Sequence, residues 1–146
     1  MARIERSIIV NMDWQAVDAI ALDGSRNGEW YAGVERSSAD ETYPQIGGVC
    51  TMVYRAGPTT FNLTQTVREY VPGDYILFDL EGGVIKGTSR WSHTPDGDGT
   101  QVTCVLDYEA SGGGLGAIAD RLVLERMNSH QLEESLSNLK TLVENA

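Results

Sequence analysis

Hydrophobic positions along the chain change spacing twice, and those changes divide it into three stretches. Ile4, Ile8, Ile9 and Val10 give Arg3 to Asn11 an extended pattern that stops at Asn11-Met12-Asp13, which predicts a first strand. Behind Asp13, a favourable N-cap, Trp14, Val17, Ile20 and Ala21 recur at helical spacing until Asp23-Gly24 ends the run. Ser25 to Tyr31 carries Trp30 and Tyr31 between Gly28 and Gly33, and is too short for periodicity to separate a second short helix from a loop.

The middle of the chain reads as strand, turn, strand. Strands are predicted over Val34–Thr42, Val49–Ala56, Thr60–Val71, Tyr75–Leu80, Val84–Thr94 and Thr100–Glu109. The breaks at Ala56-Gly57-Pro58, Val71-Pro72-Gly73-Asp74, Glu81-Gly82-Gly83 and Pro95-Asp96-Gly97-Asp98-Gly99 supply the residues tight turns need, so the strands form hairpins and the sheet is antiparallel. In the last strand Val102, Cys104, Leu106 and Tyr108 share one face, while Gln101, Thr103, Asp107 and Glu109 take the other. One face is therefore buried and one wet.

The third stretch, Leu115 to about Glu144, is the longest helical signal, with Ile118, Leu122, Leu132, Leu136, Leu139 and Val143 stepping by three or four. Between Leu122 and Leu132 the stripe passes through Glu125 and Ser129. Either the face on the sheet is polar there, or the helix bends or rotates so that Leu124 and Met127 pack instead.

With 146 residues and 41% apolar content, the chain suits one domain, 1–146, with one core. A net charge of -10 opposes nucleic acid and anionic membrane surfaces. The early apolar run is too short for a signal peptide and no segment approaches a membrane span, so stable insertion is not expected. Cys50 and Cys104 lie far apart within predicted strands, which favours buried free thiols and a cytoplasmic location.

A strand, two short helices, six antiparallel strands and a helix long enough to cross the sheet leave a hollow between sheet and helix. This order resembles the helix-grip superfamily, also called START, Bet v 1-like or SRPBCC, and in particular its bacterial polyketide cyclase/dehydrase branch. The resemblance covers essentially the whole chain. It rests on the element order, on Gly87-Thr88-Ser89-Arg90-Trp91 and Gly99-Thr100-Gln101-Val102-Thr103, and on Gly114-Leu115-Gly116-Ala117-Ile118-Ala119-Asp120-Arg121-Leu122 running into Leu136-Ser137-Asn138-Leu139-Lys140. It implies an α+β fold with a curved seven-stranded antiparallel sheet wrapped around the C-terminal helix. It further implies an internal apolar pocket entered near the short helices and hairpin tips.

Strand alternation places Trp91 with Ser89 and His93 on one face, where the indole either floors a cavity or fills it. The same choice applies to Phe78, Cys104, Leu106 and Tyr108. Trp30 and Tyr31 fall on the segment resembling the family's entrance; they close over a ligand, or one of them anchors the short helix to the sheet. Met52 and Tyr54 share a face with Cys50 and are candidates for the opposite wall. His93, next to Thr94-Pro95, reads as a surface hairpin residue. Glu125 and Ser129 are the helix residues whose spacing best suits the cavity, with Asn128 and His130 beside them. Glu125 has an alternative in pairing with Arg121 or Ser129 on the helix surface.

These residues lead to an expected function: binding a small, largely apolar lipid-, quinone- or aromatic polyketide-like molecule in an internal cavity between the sheet and the C-terminal helix, a reading that a cavity of several hundred cubic ångströms would favour and a sealed interior would not. If the protein is an enzyme, the resemblance implies a cyclase/aromatase or dehydratase-like lyase, with Tyr54 and Glu125 assisting proton transfer. The expected ligand-binding set is Trp30, Tyr31, Met52, Tyr54, Phe78, Trp91, Cys104, Leu106, Tyr108 and Met127. A protein-interaction or regulatory module without turnover is the alternative. No metal is expected, since two histidines and two cysteines are scattered without zinc-ligand spacing. No cofactor is expected either, since Gly112-Gly113-Gly114-Leu115-Gly116 lacks a P-loop lysine and reads as a flexible joint; and with no Gly-x-Ser-x-Gly elbow, acyl-transfer chemistry has no anchor. The protein is expected as a monomer or homodimer.

Overall fold

Alternation along the strands becomes a single buried inner face once they pair. The computed structural model describes residues 2–56, 58–82, 85–110 and 117–146, with the backbone alone at 56, 110 and 117–124. Strands β1 (Ala2–Val10), β2 (Val34–Ala39), β3 (Val49–Ala56), β4 (Thr59–Val71), β5 (Tyr75–Gly82), β6 (Ile85–Asp96) and β7 (Gly99–Ala110) are antiparallel neighbours. They form one seven-stranded sheet in the order β1-β7-β6-β5-β4-β3-β2. The first two strands thus sit at opposite edges, and the chain between them crosses one end of the sheet.

That crossing starts with helix α1 (Trp14–Ala21), whose N-cap Asp13 accepts from the Ala16 backbone N–H at 2.9 Å. The second short helix is only a 3₁₀ turn, Asn27–Glu29, with Arg26 paired to Glu29 beside it. Strand β2 ends at Ala39 rather than Thr42. The cause is Asp40, whose carboxylate accepts from the backbone N–H groups of Thr42, Tyr43 and Val49 and folds the chain into a loop. The sixth predicted strand runs on through Pro95, and the fifth reaches Gly82.

Inner-face residues are Cys50 and Met52 on β3, Leu63, Gln65 and Val67 on β4, and Ile76, Phe78 and Leu80 on β5. Ser89 and Trp91 on β6 and Val102, Cys104 and Tyr108 on β7 complete the buried set. Tyr54 and Leu106, half-buried, extend the same faces of β3 and β7. A bulge between Val67 and Glu69 shifts the β4 register by one, so Tyr70 rather than Glu69 continues the inner face. A second interrupts β2 between Val34 and Arg36. Bulges bend their strands and increase local twist. Gly87 is required on β6: a Cβ there would stand 2.0 Å from the Asp107 carbonyl oxygen.

Helix α2 (Ala117–Glu144) buries Leu132, Leu136, Leu139 and Val143 against this face. Its last turns are tied to the first strand through Lys140 Nζ, which donates to the Ile9 carbonyl at 2.6 Å. Both cysteines are free and buried. Among the described residues no helix is long and apolar enough to cross a membrane. The expected helix start at Leu115, the Gly112–Gly116 joint and the turn tips at Gly57 and Gly83 lie outside the described residues. So do Val84 and the side chains of Ile118, Arg121, Leu122 and Leu124.

Candidate functional site

The inner face carries larger side chains near α1 than toward the middle of α2, and a cavity of about 160 Å³ opens between sheet and helix at that second place. From the sheet it is walled by Tyr54, Phe61, Leu63, Leu80, Ser89, Cys104 and Leu106, and from α2 by Met127, Asn128, Gln131, Leu132 and Ser135. The volume is smaller than the several hundred cubic ångströms usual for ligand sites. Arg55 is the one charged side chain among the described lining residues, and its guanidinium is held by Glu35 at the half-exposed rim. The wall is neutral although the chain carries -10.

Aromatic contacts organise one end of the cavity. Tyr54 stacks on Phe61 with ring centroids 5.5 Å apart, and Tyr31 meets Tyr54 edge-on at 6.4 Å. Tyr31 also touches Trp30 at 4.5 Å and Trp91 at 5.9 Å, and Trp30 meets Trp91 edge-on. The segment carrying Trp30 and Tyr31 is latched to α2, since the Ala32 N–H donates to Ser135 Oγ at 2.8 Å and Asn138 Nδ2 to the Trp30 carbonyl at 3.2 Å. Gly33 makes the turn that follows at φ +86°, beside the Tyr54 ring and Gln131.

Two polar atoms stand out in this wall. Ser89 Oγ and Asn128 Nδ2 are buried and have no hydrogen-bond partner among the described residues. They come from opposite walls, the sheet and the helix. Ser135 Oγ, by contrast, is used up: it donates to the Gln131 carbonyl while accepting from Ala32. Burial pushes the Tyr54 phenol well above its ordinary range, with the nearby Cys104 adding to the shift, and burial likewise raises Tyr31 and Cys104. At neutral pH Tyr54 is therefore a protonated phenol, able to donate a hydrogen bond and unsuited to act as a base.

Of the residues expected from sequence, Tyr31, Tyr54, Cys104, Leu106 and Met127 line this cavity. Trp30, Phe78 and Trp91 line a smaller one of about 20 Å³ on the far side of Tyr31. Met52 and Tyr108 are buried in the core and line neither. Glu125 lines neither cavity, and Ser129 accepts from Arg6 on β1, so the expected inward placement of this pair is corrected. The reason is helical phase. Stepping back from Leu139 by 4, 7 and 11 residues gives Ser135, Leu132 and Asn128, the natural repeat of an α-helix, whereas the predicted stripe drifted by one residue upstream of Leu132.

His93 is also corrected. It is no surface residue: its side chain is 7% exposed, and Nε2 lies 2.8 Å from Asp18 Oδ1 on α1, though without the alignment of a hydrogen bond. Helix α1 covers the end of β6, which turn residues in the sequence do not reveal. Ser89 and Asn128 were missed as site residues. Alternation with Trp91 marked the first as inward, and the helical repeat from Leu139 marks the second.

A seven-stranded antiparallel sheet holding a C-terminal helix, with α1 inserted after β1, defines the helix-grip class. Within it, residues 1–144 match the family described as polyketide cyclase / dehydrase and lipid transport, and the chain belongs to that family. In structure it is similar to the Zhui aromatase/cyclase from Streptomyces sp. R1128, at a TM-score of 0.84 and 15% identity over 98% of this chain and 93% of that one. A START superfamily protein from Mycobacterium smegmatis gives 0.78 and 18%, covering 98% and 97% of the two chains. The di-domain ARO/CYC StfQ of the steffimycin biosynthetic pathway gives 0.75 and 18%, over 98% of this chain and 50% of that one. At such identities the likeness establishes the fold. No curated protein matches the chain in sequence.

Proposed function

We propose that the protein binds a small, largely apolar, ring-containing molecule in the cavity between the sheet and α2. The observation that carries this reading is the pair Ser89 Oγ and Asn128 Nδ2, two buried donors without partners among the described residues, in a largely apolar wall. An unpaired buried polar group costs about 1–3 kcal/mol, and a ligand oxygen between sheet and helix would recover it. The ligand is thus apolar in body, neutral, and equipped with an acceptor oxygen. An apolar cavity of about 150 Å³ is known to take benzene, so the size here suits one aromatic ring, with longer molecules needing a side chain to move. The likeness to two aromatase/cyclases supports an aromatic, polyketide-like ligand over a long-chain lipid.

A cyclase or dehydratase reading is favoured by one further feature, the protonated Tyr54 phenol in the wall. It would hydrogen-bond a carbonyl oxygen while the enclosure folds a flexible chain onto itself. Among the described lining residues there is no carboxylate or imidazole to remove a proton. Binding therefore stands ahead of turnover.

Native mass spectrometry of protein purified without denaturation, before and after incubation with lipids, quinones and aromatic polyketides, tests the proposal. A retained or acquired aromatic adduct supports it, and conversion of that adduct over time supports the cyclase reading. No adduct across the panel would defeat both and favour a protein-interaction module.

A further inference from the structure

The 20 Å³ cavity behind Tyr31 differs from its neighbour in chemistry. Four of its side chains carry buried polar atoms without partners among the described residues: Asn27 Oδ1, Trp30 Nε1, Gln65 Oε1 and His93 Nδ1. Asn27, Trp30 and Gln65 are each at most 3% exposed, and the His93 side chain 7%. The Asn27 amide is oriented by Cys50, whose Sγ accepts from its Nδ2 at 3.3 Å, and the Gln65 side chain lies beside the same thiol. With the Asn27 nitrogen engaged there, its oxygen is left for the cavity, as is the oxygen of Gln65.

This set mixes obligate acceptors with an obligate donor. Amide oxygens only accept and the indole N–H only donates, so the matching occupant both donates and accepts. A hydroxyl does this; a ketone or ether oxygen would leave the amide oxygens unmet. The space is of the scale of one water molecule or one hydroxyl.

Tyr31 lines both cavities, so its ring is the wall between them. The main chain on either side is fixed to α2 through Trp30 and Ala32. A side-chain rotation at Tyr31 would join the two spaces without moving the backbone.

We propose that the second cavity is the far end of the same ligand site, a polar subsite that takes a terminal hydroxyl of an aromatic ligand, with Tyr31 swinging aside to admit it. This rests on the main cavity being a ligand site. The occupant is a phenol or alcohol long enough to reach from Leu106 past Tyr31, and its apolar body stays in the larger space.

The test compares 4-phenylphenol with biphenyl by calorimetry on the wild type and on Trp30→Phe and Gln65→Met, each checked for folding by thermal melting. The wild type should prefer the phenol by about tenfold, the scale of one or two well-made buried hydrogen bonds. Each variant should reduce that preference to about threefold or less, and the ratio is the readout because a general loss of packing weakens both probes together. A crystal structure of the phenol complex should place its hydroxyl within hydrogen-bond distance of Trp30 Nε1, with the Tyr31 ring displaced. Biphenyl binding with no preference for the phenol overturns the subsite and leaves the main reading standing. So does a preference that both variants retain, or a hydroxyl seated on Ser89 and Asn128 with only water behind Tyr31. Failure of both probes to bind the wild type removes the main reading and this inference with it.

Discussion

Ser89 on β6 and Asn128 on α2 present to one cavity, from its two walls, buried polar atoms that have no partner among the described residues. Such groups reduce stability unless something binds them. Replacing Asn128 with Leu should therefore raise the unfolding free energy of the ligand-free protein by about 1 kcal/mol. The same change should weaken an oxygen-bearing ligand by roughly tenfold. Urea denaturation and calorimetry measure the two effects. A variant that loses stability and keeps its affinity would show that Asn128 serves packing alone.

Gly33 holds φ +86° beside Tyr54 and Gln131, and an added Cβ would stand 3.2 Å from Gln131 Nε2 and 3.3 Å from the Tyr54 ring. Gly33→Ala combines a left-handed backbone with that crowding. Its expected cost is about 1–2 kcal/mol. Gly97→Ala is the comparison, since it also has positive φ but nothing within 4 Å of the added atom. Equal losses in the two variants would mean that backbone conformation, and not the fit against Tyr54, sets the cost at Gly33.

Buried thiols and phenols make the protein sensitive to alkali. Burial raises Cys50 from 9.0 to about 11, against hydrogen bonds from Gln65 and Asn27 that lower it, and Cys104, Tyr54, Tyr31 and Tyr43 are raised further by the same cause. A group whose folded pKa lies above its unfolded value gives stability that is complete below the unfolded pKa and lost as pH rises through the folded one. Stability owed to these groups should hold up to about pH 9 and decline from there through pH 11. Denaturant titrations at half-unit steps test this. A level profile up to pH 11 would contradict the burial of these side chains.

Asp18 and His93 bring α1 onto the end of β6, with both side chains mostly shielded from water. His93→Leu leaves the carboxylate against an apolar neighbour and should cost about 2–3 kcal/mol. Asp18→Leu in the same chain should restore much of the loss, because no charge is then left unmatched. Strictly additive losses in the double variant would mean that the two residues act separately.

The sheet was legible because each strand carries its own evidence. Alternation in Val102, Cys104, Leu106 and Tyr108 fixes a face, and turn residues fix hairpin order. Cavity residues on strands were legible for the same reason, as with Tyr54 and Leu106. The helix was harder. Its repeat had to be extended across a polar stretch, and a drift of one residue exchanged Asn128 for Ser129. Two features depended on contacts between distant segments: Asp18 over His93, and Arg6 on Ser129. No local pattern encodes those contacts. Nor does alternation measure volume, which is why Met52 and Tyr108 share the inner face with cavity residues yet belong to the solid core.

Ligand entry between the sheet and α2 can be followed residue by residue by amide chemical-shift mapping. Isotope-labelled protein would be titrated with whichever aromatic compound native mass spectrometry retains. Shifts should concentrate at Tyr31, Tyr54, Ser89, Leu106, Asn128 and Gln131, with little change on the outer face of the sheet. Saturable shifts confined to that outer face, with Ser89 and Asn128 unmoved, would contradict entry between sheet and helix.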